Sequence, residues 1–211
     1  MKIASHSEQT TPRLRGASRR RAALKLAWIM AIVLANATPG SWAASDDVVE
    51  RLRTGGHALL IRHALAPGFG DPENFRLGDC ATQRNLSEAG RAQARAIGDW
   101  LRARGIERAR VYSSQWCRCL ETAELLGLGK VTELPALNSF FERTQDREPS
   151  LAVLRGFFAR QPRDAELMVL VTHQVTISAI SGEFAASGTG VLVALEPDGA
   201  VRTVARMNFD G

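Results

Sequence analysis

The stretch LLIRHALAPG, residues 59–68, passes from an apolar run to Arg62 and His63 and then enters a loop containing proline and glycine. The apolar residues predict a buried strand, and the cation and the imidazole stand where that strand ends. In open α/β sheets, ligands bind just outside the carboxyl ends of the strands. The stretch therefore predicts either a binding site or an ordinary strand end whose polar residues face water.

Strand patterns alternate with helix patterns from residue 46 onward. The clearest helix signals are Ser87 as N-cap, Glu88 in the first turn and Gly105 just past the end. The alternation predicts an α/β fold: a three-layer α/β/α sandwich with a mostly parallel central sheet and one antiparallel edge from a final hairpin. The predicted strands are HALLIR, ARVYSS, KVTEL, ELMVLVTH and the hairpin around 197–199; the other predicted helices are 46–53, 117–126, 151–160 and TISAISG.

The N-terminal segment has the organisation of a secretory signal peptide. RLRGASRRRAALK is basic, LAWIMAIVLANA is apolar, and SWA supplies small residues before Ala44. The apolar run is shorter than the roughly 20 residues of a membrane-spanning helix. The sequence thus predicts a signal peptide at 1–43 and an exported domain at 44–211, periplasmic or secreted, without a stable membrane span. RRAALK partly matches a twin-arginine signal, so both export routes stay open.

Most of the positive charge of the chain lies in this leader. The leader holds seven Lys or Arg and one Glu, so the net charge of +5 for the whole chain leaves −1 for residues 44–211. Nucleic-acid binding needs a basic surface on the folded domain. The high isoelectric point therefore gives no support for a nucleic-acid partner, and none is expected.

All three cysteines, Cys80, Cys117 and Cys119, lie in the predicted exported domain. An oxidising compartment permits a disulfide, and an odd count leaves one thiol over. The sequence favours a bond from Cys80 to either Cys117 or Cys119. The alternative is three small buried side chains without a bond.

Three predicted strand ends carry groups that can be cationic. Arg62 and His63 follow the first strand, Arg118 lies in the helix after the second, and His173 follows the ELMVLVTH strand. In a parallel sheet these ends share one edge, so two guanidinium and two imidazole groups would converge. Such convergence costs self-repulsion and desolvation, which a bound anion, above all a phosphate, would offset. Each residue alone has an ordinary explanation, as a solvated helix residue or a buried core histidine.

The order of these segments resembles the histidine phosphatase superfamily, whose fold is phosphoglycerate mutase-like. LLIRHA resembles its Arg-His-Gly signature, and NLSEAGRAQA resembles the segment that follows. SSQWCRCLETAELL resembles its second motif, and VTH supplies the late histidine. The likeness covers most of residues 57–182. It implies a phosphoric monoester hydrolase in which His63 is the nucleophile while Arg62, Arg118 and His173 hold the phosphoryl oxygens.

This chemistry requires histidines with different protonation. A neutral His63 can attack phosphorus and form a phosphohistidine intermediate, while His173 serves best as a cation, so the two pKa values are expected to differ. No spacing of histidines or cysteines suggests a metal site, and no metal or cofactor is expected. The expected partner is a phosphorylated small molecule or a glycan.

The sequence departs from the family pattern at Ala64, where the signature has glycine. The acid that protonates the leaving group is also open: Glu142 is the first candidate, and Asp79 and Glu73 are others. Arg84 and Asn85 could contact substrate, although anchoring of their loop is the ordinary explanation for such residues. The loops 65–84 and 138–149 are predicted to form the rim that selects the substrate.

Three functions therefore stay open. The first is an exported, metal-independent phosphatase of phosphomonoesters, for which the leader and a short insert resemble the small branch of lipopolysaccharide core heptose phosphatases. The second is a phosphohistidine phosphatase acting on a protein. The third is a non-catalytic module that binds phosphate or glycan in the same cationic pocket.

Overall fold

The computed structural model describes residues 46–162, 164 and 166–209 of the chain. The predicted signal peptide, residues 1–43, lies outside the described residues. The helices described are α1 (Asp46–Arg53), α2 (Glu88–Ala103), α3 (Cys117–Leu126), α4 (Arg147–Ala159) and α5 (Gln174–Ser181). The strands are β1 (His57–Arg62), β2 (Arg110–Ser113), β3 (Val131–Glu133), β4 (Met168–Thr172), β5 (Gly190–Leu195) and β6 (Val201–Met207).

These six strands form one sheet in the order β3-β2-β4-β1-β5-β6. The pairs β3–β2, β2–β4 and β4–β1 are parallel, whereas β5 is antiparallel to both β1 and β6. The final hairpin therefore forms the antiparallel edge, as the sequence predicted. Strand β1 lies inside the sheet, paired on both sides, which fixes the position of the residues at its end.

The alternation of side chains along the central strands divides the core into two layers. Helices α1, α2 and α3 cover one face of the sheet, and α4 and α5 cover the other, so the predicted α/β/α sandwich is confirmed. On the first face lie Leu59, Ile61, Val169 and Val171 with Leu52, Ile97 and Leu126; on the second lie Ala58, Leu60, Met168 and Leu170 with Leu154, Phe158 and Ile177.

The end of helix α3, which carries Arg118, is fixed by a local signal, and its position is fixed by close packing against α2. It ends at Gly127, which adopts a left-handed conformation with φ of 64°. Gly98 of α2 lies against its last turn, where an added Cβ would stand 2.0 Å from the carbonyl oxygen of Leu126. Only glycine permits this approach of the two helices.

Helix α4 begins earlier than the sequence predicted. The predicted loop 138–149 places the start of the helix at residue 151, but the helix starts at Arg147. A proline is tolerated in the first turn, since its missing N–H would have no partner inside the helix. No helix among the described residues is long and apolar enough to cross a membrane.

Candidate active site

The carboxyl ends of β1, β2 and β4 lie side by side at one edge of the sheet. Arg62 pairs with Thr172, and Ser113 pairs with Val171, in parallel register. The backbone N–H of His63 continues the ladder by donating to Thr172 O over 2.9 Å. His63 therefore lies next to His173, and their ring centroids are 5.6 Å apart.

The residues after these strands surround a cavity of about 240 Å³. Its floor is cationic, whereas four aromatic side chains and the start of helix α5 contribute to its walls. Two of the aromatic residues, Phe69 and Phe141, lie at its mouth and are 85% and 45% exposed. The sequence-predicted residues Arg62, His63, Arg118, His173 and Glu142 all line it, together with Asp71, Phe75, Arg84, Trp116, Gln174 and Val175.

His63 is buried and held in one tautomer. Its Nδ1 lies 2.8 Å from the carbonyl oxygen of Ala64, which can only accept, so Nδ1 carries the proton. The lone pair of the neutral ring is therefore on Nε2. The methyl group of Ala64, at the position where the resembled Arg-His-Gly signature has glycine, fits into a small cluster with Ala66, Leu86 and Ala94.

The surroundings of both histidines lower their pKa values. Burial lowers the pKa of His63 to about 3, and the positive charges of Arg118, Arg62 and Arg84 act in the same direction. Burial and Arg118 also hold the pKa of His173 well below its usual value of 6.5. Without a bound anion, burial and three guanidinium groups therefore disfavour the charged form of both rings, including the charged form expected for His173.

His173 is positioned by a short hydrogen-bond chain. Its Nε2 lies 2.9 Å from Ser114 Oγ, which itself donates to Asn138 Oδ1 over 3.1 Å. The hydroxyl hydrogen of Ser114 is thus committed to Asn138, so Nε2–H of His173 donates to Ser114. Nδ1 is consequently the atom that gains a proton when His173 becomes charged.

The lowered pKa of His63 predicts a loss of stability in acid. In the unfolded chain His63 binds a proton near pH 6.5, and in the folded chain it does so only near pH 3. The contribution of this residue to the free energy of unfolding is therefore intact above pH 6.5 and is lost as the pH falls toward 3. At about pH 4.5 the loss from this residue is about 2–3 kcal/mol. Urea unfolding of the wild type and of His63→Asn at about pH 7 and 4.5 measures it. The same fall in both proteins would contradict the prediction.

Arg118 is buried and forms an ion pair with Asp71. Nη1 donates to Asp71 Oδ1 over 2.7 Å and Nη2 donates to Oδ2 over 3.1 Å, and the two side chains are 4% and 9% exposed. The Nε atoms of Arg118 and Arg62 are buried without a hydrogen-bond partner among the described residues. Buried unpaired N–H groups are costly, and an oxyanion in the cavity would satisfy groups of this kind.

Arg84 anchors the loop 65–84, which was the ordinary of the two explanations for this residue, and it also lines the cavity. Its Nε donates to Gly70 O over 2.8 Å, and its Nη1 donates to Ala66 O. Asn85 Nδ2 donates to the carbonyl oxygens of Cys80 and Gln83, so that side chain has only the anchoring role in the described contacts.

The loop 65–84 is joined covalently to helix α3. A disulfide links Cys80 to Cys117, the residue before Arg118. The remaining thiol, Cys119, is buried with its Sγ 3.5 Å from His173 Nε2. Of the two pairings left open by the sequence, the structure has the one with Cys117.

The candidate acids occupy different surroundings. Glu142 is exposed at the rim, and its Oε1 accepts a long hydrogen bond of 3.4 Å from the backbone N–H of Asp71. Asp79 instead caps a 3₁₀ turn by accepting from Ala81 N over 3.2 Å. Neither Asp79 nor Glu73 is among the described residues that line the cavity.

Sequence reasoning missed Asp71 and Trp116. Trp116 stacks on Phe75 with ring centroids 5.0 Å apart, and its Nε1 donates to Asp71 Oδ2 over 3.0 Å. A carboxylate in a long loop gives no periodic signal. The only clue to Asp71 was its place in the loop that follows His63.

Residues 58–144 match the family model of the histidine phosphatase superfamily, branch 1. The match includes Arg62, His63 and Arg118 and ends shortly after Glu142, while His173 lies beyond it. This part of the chain is therefore similar to the histidine phosphatase superfamily, and the class of protein that the similarity and the site together indicate is a phosphoric monoester hydrolase.

Solved structures share the fold. The protein histidine phosphatase SixA complexed with tungstate is 18% identical, with a TM-score of 0.53, covering 72% of this chain and 97% of its own. A phosphoglycerate mutase from Thermus thermophilus is 19% identical, with a TM-score of 0.50, covering 73% of this chain and 99% of its own. The phosphoglycerate mutase-like α/β fold is thus shown. No curated protein matches the chain significantly.

Proposed function

We propose that this protein is an exported phosphatase that hydrolyses a phosphomonoester of a small molecule or glycan through a phosphohistidine on His63. The observation that carries the proposal is the buried, neutral His63, whose Nε2 lone pair is free because Nδ1–H is bound to Ala64 O. Around it stand three guanidinium groups, of Arg62, Arg84 and Arg118. They supply the positive charge that phosphoryl transfer needs, without a metal ion.

In the first step, the Nε2 lone pair of His63 attacks phosphorus, and the bond from phosphorus to the leaving oxygen breaks. That oxygen takes a proton from an acid, for which Glu142 on the cavity wall is the candidate. In the second step, water attacks the phosphohistidine, the phosphorus–nitrogen bond breaks, and orthophosphate leaves. The same carboxylate accepts the proton of the water.

The bound phosphoryl group changes the protonation of His173 in this mechanism. Two negative charges beside the ring favour the charged imidazole, so the low pKa of His173 rises when substrate binds. Nδ1 takes up the proton, because Nε2–H stays bonded to Ser114. The first turn of α5, with Gln174 and Val175 on the cavity wall, adds the positive end of a helix dipole.

Two further observations support the oxyanion and the export parts of the proposal. SixA, which shares the fold, was solved with tungstate, which is a tetrahedral oxyanion as phosphate is. The disulfide between Cys80 and Cys117 is typical of oxidising compartments such as the periplasm. Periplasmic activity in an extract fractionated from the native host tests export.

The proposed intermediate is tested by trapping. Wild-type protein mixed with an excess of ³²P-labelled 4-nitrophenyl phosphate and quenched in alkali should retain acid-labile label on His63, found by peptide mapping. Retention of label on another residue, or turnover without label in a single-turnover time course, would contradict the proposal.

The substrate is tested by comparing phosphorylated heptose, other sugar phosphates and a phosphohistidine-containing protein. Preference for the last would replace the small-molecule proposal.

The role of Glu142 predicts a dependence on the leaving group. In Glu142→Gln, kcat/KM, which reports the first step, should fall roughly 100-fold for alkyl phosphates, whose alkoxides need a proton, and less than about threefold for 4-nitrophenyl phosphate. Glu124→Gln, an exposed carboxylate on α3, is the matched control and should behave as wild type. Equal losses on both substrates would mean that Glu142 does not act as the acid.

A further inference from the structure

The carboxylate of Asp71 has every acceptor position occupied. It accepts from Nη1 and Nη2 of Arg118 at 2.7 and 3.1 Å, from the backbone N–H of Arg84 at 3.1 Å, and from Nε1 of Trp116 at 3.0 Å. An ionised carboxylate offers about four such positions. Burial by itself would raise the pKa of Asp71, but the hydrogen bonds and the positive charge of Arg118 lower it below its usual value, so the carboxyl group is ionised.

The hydrogen bonds to Asp71 also determine which N–H donors of Arg118 remain available for a ligand. A guanidinium group has five N–H donors in one plane. Both donors of Nη1 are used, one by Asp71 Oδ1 and one by Arg84 O at 3.3 Å, and Nη2 gives one to Asp71 Oδ2. The two that remain are the buried, unpartnered Nε–H and the second N–H of Nη2. They lie on one edge of the plane, where they can bind two oxygens of one oxyanion.

We propose that Asp71 is a positioning residue for the phosphoryl group, which acts by holding Arg118 so that its Nε–Nη2 edge is presented to the substrate oxygens. The proposal deepens the proposed function and rests on the phosphate site, although not on turnover. Asp71 sits on the loop 65–84 and Arg118 on helix α3, so their ion pair joins the two walls of the site.

The opposite role would be a competing anion that occupies Arg118 until phosphate displaces it. The geometry disfavours displacement, because leaving would break four hydrogen bonds of a side chain that is only 9% exposed. The backbone N–H of Asp71 is also bonded to Glu142. The two roles make opposite predictions, since removal of a competitor tightens oxyanion binding and removal of a positioning group weakens it.

The test is tungstate binding by calorimetry, which reads the site whether or not the protein turns over substrate. Asp71→Asn is expected to raise the Kd for tungstate about tenfold, and Arg118→Lys, which loses the planar fork, by at least as much. Because Asp71 acts through Arg118, the double variant D71N/R118K should bind within about twofold of R118K alone. With Arg62→Lys, the losses should instead multiply, because Asp71 does not contact that side chain in the described hydrogen bonds.

The matched control is Asp99→Asn, which removes an exposed aspartate from an ion pair with Arg102 on α2 and should leave binding unchanged. Tighter tungstate binding in D71N, or losses that multiply in D71N/R118K, would overturn the proposal. If D71N fails to fold by circular dichroism, Asp71→Glu, which keeps the charge but shifts it by one methylene, enters the same cycle. Failure of wild-type turnover with this cycle intact would count against the phosphatase proposal alone.

Discussion

Replacing His63 with alanine is expected to lower kcat/KM for 4-nitrophenyl phosphate by roughly 10⁴-fold or more, because no other group replaces the attacking nitrogen. The Kd for tungstate should change by less than about threefold, since Arg62 and Arg118 still bind the oxygens. Loss of turnover with retained oxyanion binding is the signature of a lost nucleophile, and a structural defect would reduce both.

The same strand supplies a matched control. His57 lies at the opposite end of β1, where its Nδ1 lies 3.0 Å from Gly55 O, and His57→Ala should retain wild-type kcat/KM. If His63→Ala keeps a tenth or more of the activity, the phosphohistidine proposal is wrong. If the wild type shows no turnover while it binds tungstate, the non-catalytic binding module becomes the better account.

Removal of the disulfide is expected to have the largest effect on stability. Cys80 and Cys117 are separated by 37 positions. Closing a loop of this length lowers the conformational entropy of the unfolded chain, which stabilises the folded protein by about 3–4 kcal/mol. The bond also fixes the loop 65–84, which carries Asp71, to the helix that carries Arg118. The variant C80S/C117S should therefore unfold at lower urea concentration and show a KM raised several-fold, with a smaller change in kcat.

Dithiothreitol separates the bond from the substitutions themselves. The reductant should lower the unfolding midpoint and raise KM in the wild type, and it should change neither in C80S/C117S. An equal effect of the reductant on both proteins would show that it acts elsewhere. Unchanged KM in the double variant would show that the cross-link stabilises the fold without shaping the site.

The sequence predicted the layers of the fold because its signals are local. Apolar runs mark β1 and β4, Ser87 accepts from Gly90 N at the start of α2, and Gly127 ends α3. The start of α4 was missed because a proline near a helix start looks the same in sequence as a proline in a loop. The edge of the sheet where the cationic residues meet followed from strand direction, which alternation with helices predicts well.

The ion pairs and protonation states of the site could not be predicted from the sequence in the same way. Asp71 lies 47 positions from its partner Arg118, and only the folding of an irregular loop brings them together. The protonation of His173 depends on how deeply the ring is buried and on how many guanidinium groups face it. Both quantities arise from tertiary packing, so residue types and spacing carried no information about them.

The burial of Cys119 has a consequence for the covalent form of the molecule. Thiol–disulfide exchange requires a thiolate attacker, and burial raises the pKa of the Cys119 thiol to about 12. This thiol is also packed in the core between α3 and the sheet, away from solvent-borne oxidants. Scrambling of the Cys80–Cys117 bond is therefore restricted to the unfolded chain, and the native protein keeps a single covalent isomer while retaining a spare sulfhydryl.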